Sequence, residues 1–471
     1  MNRMPRIALA GCLLLLLTAC WSQVPGDGSV RREDEGQLFL YLEPFSQDAG
    51  RINFTLYGIS AVREDGTVVP LSLHITEVRG REMKRQRLLA SGPVPQGTYS
   101  GLQVEATVAT LATEDGAAAL LLPDGPVMNP LVFRVPKEGP RVLSLALHYG
   151  DAVVNEFRFS ALFHVAAPVQ PPTGLTGYVT NSGSGMITVF DKKRLRAAAA
   201  LPGGSGPKGM VLDQVRKLAY VAMPDDDAVA VFDCDAGGLV ATIGLLGGDR
   251  PRELALVDQG RTLLAVNEGS GVVSFIDPVA RIEVHRLTVG EGPHSLVIDR
   301  REGRRAYVFN TPSNSISIID IPNRKLTATA GTADRPLYGE FNRSGDRLYV
   351  IHEGSPYLNV LDPFSLAIVR RIMLGLPPAF LKVDTATDLL YVAKRHAAEV
   401  DVYDPFSLLP VESIPTGGSI SAIAIDGEFN ALLLLSSEAR TLTAVSINSK
   451  SILSVLDVGK DPYQVRVHGE R

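Results

Sequence analysis

The sequence predicts an all-β protein: an N-terminal β-sandwich followed by a seven-bladed β-propeller that its own C-terminal strand closes. Three observations lead there. Apolar and polar residues alternate with period 2 through residues 37–165. Three sequence markers recur in step seven times from residue 177 to the end. Gly (44) and Pro (31) in 471 residues favour many turns and short strands over long helices. Hydrophobic residues at 45% and charged residues at 21% allow buried cores. A net charge of −5 gives no general attraction to nucleic acid. A single Trp excludes a WD-type repeat array, which needs one in most repeats.

The chain opens with an address. Arg3 and Arg6 precede an apolar run of 13 residues, 7–19, too short to span a bilayer as a mature helix. The run ends in Leu17-Thr18-Ala19-Cys20, which resembles the lipobox of bacterial lipoproteins. The resemblance implies that residues 1–19 are a signal peptide, that cleavage falls before Cys20, and that the Cys20 thiol is acylated. The membrane is then a partner, held by buried acyl CH₂ groups at ~0.8 kcal/mol each. Trp21, where an Asp would retain such a protein on the inner membrane, implies the outer membrane of a Gram-negative envelope. Residues 20–36 are polar and read as a tether. Without the leader the net charge is −7, and Cys234 is the one cysteine left beside the lipidated one, so no internal disulfide is expected. There is no C-x-x-C-H and no Cys/His zinc spacing, so neither cofactor nor metal is expected.

Residues 37–165 carry the strands of the expected sandwich. Leu38-Phe39-Leu40-Tyr41-Leu42 is apolar throughout, whereas Ile52, Phe54 and Leu56, then Val104, Ala106 and Val108, then Phe157, Phe159 and Ala161 alternate with polar residues. Glu64-Asp65-Gly66, Pro95-Gln96-Gly97 and Asp124-Gly125-Pro126 mark turns between them. Val94-Pro95-Gln96-Gly97-Thr98-Tyr99 is similar to the P-x-G-x-Y turn of transthyretin-like sandwich modules, which implies that Gly permits the turn and Tyr packs back on the sheet. Residues 166–174 are a Pro-rich, semi-rigid linker.

The repeat fills residues 175–471. An acidic or Asn residue ends an alternating strand at Asp191, Asp233, Asp277, Asp320, Asp362, Asp404 and Asn448, at spacings of 42 to 44. Thirteen residues before each stands Tyr178, Tyr220, Leu264, Tyr307, Tyr349, Tyr391 or Leu435. The third marker is Pro207, Pro251, Pro293, Pro336, Pro378, Ile420 and Pro462. Four short apolar runs per period are the signature of a propeller blade. The array begins at a second strand, 177–181, and ends with a surplus first strand, 463–468, so the C-terminal strand is expected to pair with 177–181 and shut the ring. Residues 177–185 (GYVTNSGSG), the strand 187–191 and Gly290-Glu291-Gly292-Pro293-His294 resemble the YVTN-type propeller repeat of bacterial and archaeal cell-surface and periplasmic proteins. That resemblance implies a fold; its wider superfamily includes lactonase-like propellers and the haem d1 domain of nitrite reductase.

The recurrent acids precede turns such as Asp277-Pro278, where an Asx side chain caps its own backbone, and a role repeated in every blade is a scaffold role. His352 and His396, in corresponding loops of adjacent blades, are under-coordinated as a metal pair without carboxylates such as Glu353. No Ser-His-Asp arrangement stands out. Beside the Pro markers, however, Lys208, Arg250, Arg252, His294 and Arg335 come from four consecutive blade entries. They are expected to form a basic crescent at the channel mouth, able to hold a small anionic ligand or an acidic envelope protein or glycan. The sequence therefore favours a lipid-anchored, non-enzymatic binding scaffold of the cell envelope; the alternative is a lactonase-like or haem d1-like propeller with its site at the same mouth. No catalytic residue is assigned.

Overall fold

The computed structural model describes residues 34–471 except 115 and 333. The leader, Cys20 and most of the tether lie outside the described residues. Strand β1 (Glu35–Leu42) already claims the last two residues assigned to the tether.

The N-terminal part is a single curled sheet. After β1 come β2 (Ile52–Arg63), β3 (Val68–Leu73), β4 (Glu77–Arg79), β5 (Arg87–Pro95), β6 (Gly97–Thr113), β7 (Gly116–Ala119), β8 (Val127–Val135) and β9 (Pro140–Ala146). A short ribbon follows, β10 (Val153–Val154) with β11 (Arg158–Phe159), and then β12 (His164–Ala166). The order β12-β9-β1-β5-β3-β2-β6-β7 is continuous, with β4 on β2 and β8 on β6. The two expected layers are one sheet because β3 pairs with β2 through Ile59↔Leu71 and with β5 through Leu73↔Ala90. The sheet rolls until β8 packs over β1, β9 and β12. Between the two walls lies one core, including Leu38, Leu40, Phe54, Tyr99 and Phe133. The P-x-G-x-Y turn behaves as its residues imply. Gly97 has φ +142°, and buried Tyr99 stacks on Phe133 at 5.2 Å and donates its hydroxyl to the Pro95 carbonyl at 2.6 Å.

β1 also explains why its sequence does not alternate. Leu38, Leu40 and Leu42 face the sheet's own core, while Phe39 and Tyr41 on the other side join Leu88 and Val142 in a cluster with the propeller. A polar clamp completes this contact. Asp457, at the end of the outer strand Ile452–Asp457 of blade 7, accepts from Arg85 Nη1 (2.5 Å), Arg87 Nε (2.9 Å) and the Leu88 N–H (3.1 Å). Glu43 meets Arg196 of blade 1 at 2.9 Å, and Gln86 Oε1 accepts from the Ala197 N–H. Part of the Pro-rich linker is tied down too, Gln170 donating to the Ala198 carbonyl at 2.8 Å.

Seven four-stranded antiparallel sheets form the propeller. Blade 1 reads, from outside in, Arg196–Pro202, Met186–Asp191, Thr176–Asn181 and Pro462–Val467. The innermost strand is thus the C-terminal one, with Gly177↔Val467, Val179↔Val465 and Thr180↔Gln464 in register, as the phase of the repeat requires. Pro462–Val467 packs between the inner strands of blade 7 (Ala422–Asp426) and blade 2 (Met210–Asp213), so the ring is closed.

Each of the six recurrent Asp side chains accepts N–H groups of its own turn; Asp277, for example, takes Val279 and Ala280 at 2.8 and 2.9 Å. The seventh place is corrected. Ser446, not Asn448, pairs with Ala431 as Asp191 pairs with Thr176, and its hydroxyl accepts the Ser449 N–H. The matching core residue is Leu433, opposite Ala444, rather than Leu435.

Candidate binding site at the channel mouth

The inner strands of blades 3, 4, 5, 6 and 1 start at Pro251, Pro293, Pro336, Pro378 and Pro462. Proline suits this place, since a strand's first residue needs no ladder N–H. In all five blades the register slips by one directly after it. Pro251 pairs with Asn267 but Glu253 pairs with Val266, which leaves Arg252 out of the ladder; His294, Leu337, Ala379 and Tyr463 are skipped likewise. A bulge releases one side chain from the sheet's alternation and re-aims it. At one end of the channel the ring therefore presents Arg252, His294, Leu337 and Ala379, from the consecutive blades 3 to 6, and Tyr463 from blade 1.

A pocket of about 350 Å³ opens there, lined among others by Arg252, His294, Tyr338, Arg335, Arg395 and the carboxylates Glu268 and Glu353. Arg252 is its hub. Nη1 donates to Glu268 at 2.6 Å, Nη2 lies 2.7 Å from His294 Nε2, and the guanidinium sits 5.6 Å from the Tyr463 ring. Arginine has no acceptor, so His294 Nε2 accepts, and the imidazole is neutral with its hydrogen on Nδ1. Burial, followed by the charge of Arg252, holds its pKa well below the ordinary histidine range, in keeping with that tautomer. The ring meets Tyr338 edge-on at 4.8 Å, and Tyr338 leans on Phe380 at 4.8 Å. Lys208 reaches Glu268 Oε2 at 3.4 Å, and burial with the nearby Arg252 lowers its pKa despite that partner. Burial pushes the Glu268 carboxyl up, but Arg252 and Lys208 outweigh it and keep its pKa low. Across the opening, Glu353 is shared by Arg335 (2.6 Å) and Arg395 (3.8 Å).

Deeper in the channel the walls are polar and mutually satisfied. Glu253 accepts from Gln464 at 3.0 Å and lies 3.8 Å from Arg466, which bonds Glu470 at 3.0 Å; Lys382 bridges Glu340 and Glu470, each at 3.4 Å.

Of the five residues read as a crescent, Arg252, His294 and Arg335 line the pocket, and Lys208 stands behind Glu268. Arg250 does not join them. Its φ of +51° turns it to the exposed side, where it pairs with Asp225 at 2.9 Å. The crescent is also partly neutralised, because Glu268 and Glu353 stand opposite the arginines across their hairpins. Tyr338, with Leu337, Thr311 and Pro312, is among the lining residues the sequence reading passed over. Among the described residues no group of three or more His, Cys, Asp or Glu side chains is placed to hold a metal ion. His352 is buried at a strand end and His396 is exposed in a turn.

The fold and this polar mouth define the chain as a seven-bladed β-propeller protein. By sequence it matches no family model and no curated protein. By structure it is similar to a 6-phosphogluconolactonase candidate from Bacteroides uniformis (16% identity, TM-score 0.51, 63% of this chain and 99% of that one). It is also similar to the dihydro-haem d1 dehydrogenase NirN (16%, 0.50, 64% and 78%) and to Kuenenia stuttgartiensis hydrazine synthase (16%, 0.50, 62% and 95%). At this identity the likeness is one of fold.

Proposed function

We propose that this chain is a cell-envelope lipoprotein anchored through Cys20, with a YVTN-type propeller that binds a small anionic ligand at its channel mouth. One observation supports the ligand reading: three cations, Arg252, Arg335 and Arg395, line a half-enclosed pocket beside two carboxylates, Glu268 and Glu353, and Lys208 stands behind Glu268. Partly desolvated guanidinium groups favour carboxylate or phosphate partners, because charge-assisted hydrogen bonds strengthen where water is thin. Binding is favoured over catalysis because the groups that could act as a general base are engaged: His294 Nε2 accepts from Arg252, and Glu268 and Glu353 are each shared by two cations. The lactonase-like and haem d1-like readings rest on fold likeness alone.

Two experiments test the proposal. Radiolabelled palmitate is incorporated by the wild-type chain and not by Cys20→Ser; equal labelling removes the anchor. Thermal melts with phosphate, citrate and a hexose phosphate show a saturable rise for at least one, since a ligand at a hundred times its Kd adds about 2.7 kcal/mol. No rise with any of them removes the ligand site.

A further inference from the structure

The opposite end of the propeller carries a second surface, unrelated to the mouth. In an antiparallel meander the turn between the first and second strands and the turn between the third and fourth emerge at the same end. Neighbouring turns there are tied together: Arg216 donates to the Gly260 carbonyl, Arg301 to Ser344, and Arg343 to Ala386. On blade 4 the two turns present Arg300, Arg301, Arg304, Arg305, Arg324 and Lys325, all exposed. Among the described residues none of these six makes an ion pair within 4.0 Å. The carboxylates beside them are Asp299, Glu302 and Asp320, and both Asp side chains are committed to N–H groups of their own turns. Those carboxylates keep their charge, and Arg304 and Arg305 act on Asp320, so the two turns carry six cations against three anions, an excess of positive charge at this rim.

Apolar tips stand among these cations. Phe364, in the blade 5 turn, is 60% exposed, and Arg301 and Arg305 flank its ring at 5.8 and 5.5 Å. The corresponding turns of blades 3 and 6 expose Val279 (68%) and Phe406 (89%). Nothing in the turns requires large apolar side chains, since Asp362 and Asp404 cap them through the backbone and the adjacent serines. Unpaired cations with protruding aromatic and aliphatic tips on one rim match a bilayer interface, where phosphate headgroups take the cations and the tips enter the acyl boundary.

We propose that this rim, centred on blade 4, docks on an anionic phospholipid surface. The docking rests on the reading of the chain as a membrane-anchored protein, and it turns the ligand pocket away from the lipid, because the pocket lies at the other end of the channel. Near such a surface each cation is worth roughly fivefold in binding, so three together are worth about a hundredfold.

The test uses the full-length chain reconstituted into vesicles of phosphatidylcholine with or without phosphatidylglycerol. Phe364→Trp, in a Trp21→Phe background, reports depth through quenching by brominated lipid. The expected result is strong quenching in the anionic vesicles that high salt reverses. The docking constant should fall about a hundredfold in the triple variant Arg300→Ser, Arg301→Ser, Arg304→Ser. Phe406→Trp, with all arginines intact, gives the same readout by salt dependence alone should the triple variant not fold. A tryptophan equally open to aqueous quencher in both lipids overturns the proposal. So does a DNA oligonucleotide that binds the rim while brominated lipid leaves the tryptophan untouched. Palmitate incorporation at Cys20 is scored separately, so an acylated but undocked chain defeats this inference alone.

Discussion

Asp457→Ala should uncouple the curled sheet from the propeller. Asp457 is 14% exposed and receives three donors from one strand of the sheet and the loop before it: Arg85, Arg87 and the Leu88 N–H. Hydrogen bonds to a charged group are worth about 1.5–3 kcal/mol where water is excluded. The two arginines are 27% and 36% exposed and solvate themselves when released, so each contributes nearer 1 kcal/mol. The Leu88 N–H adds about 1 kcal/mol when left without an acceptor. The loss is then about 3 kcal/mol, all of it at the interface. For a sheet of this size that is roughly 10 °C of melting temperature. Differential scanning calorimetry of wild type should give one transition, and Asp457→Ala an early one for the sheet followed by an unshifted one for the propeller. Asp457→Asn, which keeps an acceptor but not the charge, should fall between them. A single transition at the wild-type temperature in Asp457→Ala would refute the clamp.

Three further outcomes follow from the same geometry. Deleting residues 462–471 strips the inner strand from blade 1 and leaves the ladder edge of Thr176–Asn181 open, so the cooperative thermal transition should vanish and the protein should elute as aggregate; an unchanged melt would contradict closure. His352 is buried with neither ring nitrogen partnered, and burial lowers its pKa from 6.5 to about 4. The unfolded chain therefore binds a proton the fold refuses between those values, and stability drops as pH falls from 6.5 to about 4, by about 3 kcal/mol in all. Asn occupies the equivalent strand end in Asn181, Asn267 and Asn310, so His352→Asn should flatten that slope in urea titrations without unfolding the blade. Tyr99→Phe should cost about 1 kcal/mol in the same assay by leaving the Pro95 carbonyl without its hydroxyl partner.

The propeller was legible because its markers have physical causes that repeat: a cap at a strand end, a large core side chain, and a proline at a strand entry. Blade 7 slipped by two residues because Leu432-Leu433-Leu434-Leu435 offers four equal candidates, and a serine, Ser446, does the work of the capping Asp. The single N-terminal sheet was not legible, since the bridging role of β3 depends on pairings remote in sequence. At the mouth, the proline marker located Arg252 and His294, but not the bulge that aims them. The sequence places Glu268 and Glu353 in the second-to-third loops of the same face, but does not reveal their pairing with the arginines. Once Pro251 faces Asn267 and Pro336 faces His352 across a hairpin, the next residue of each turn lies beside the arginine. The arginines of blade 4 were hidden because each turn taken alone looks like an ordinary solvated loop.

The pocket is tested most directly by titration calorimetry with the anion that gives the largest thermal shift, on wild type, Arg335→Ala and Arg250→Ala. Arg335 is half-exposed at the pocket rim, so its loss should leave the fold intact, whereas Arg250 points away to Asp225. The expected result is at least a tenfold weaker Kd, about 1.4 kcal/mol, for Arg335→Ala and no change for Arg250→Ala. Equal affinity in all three, or a loss confined to Arg250→Ala, would contradict the site.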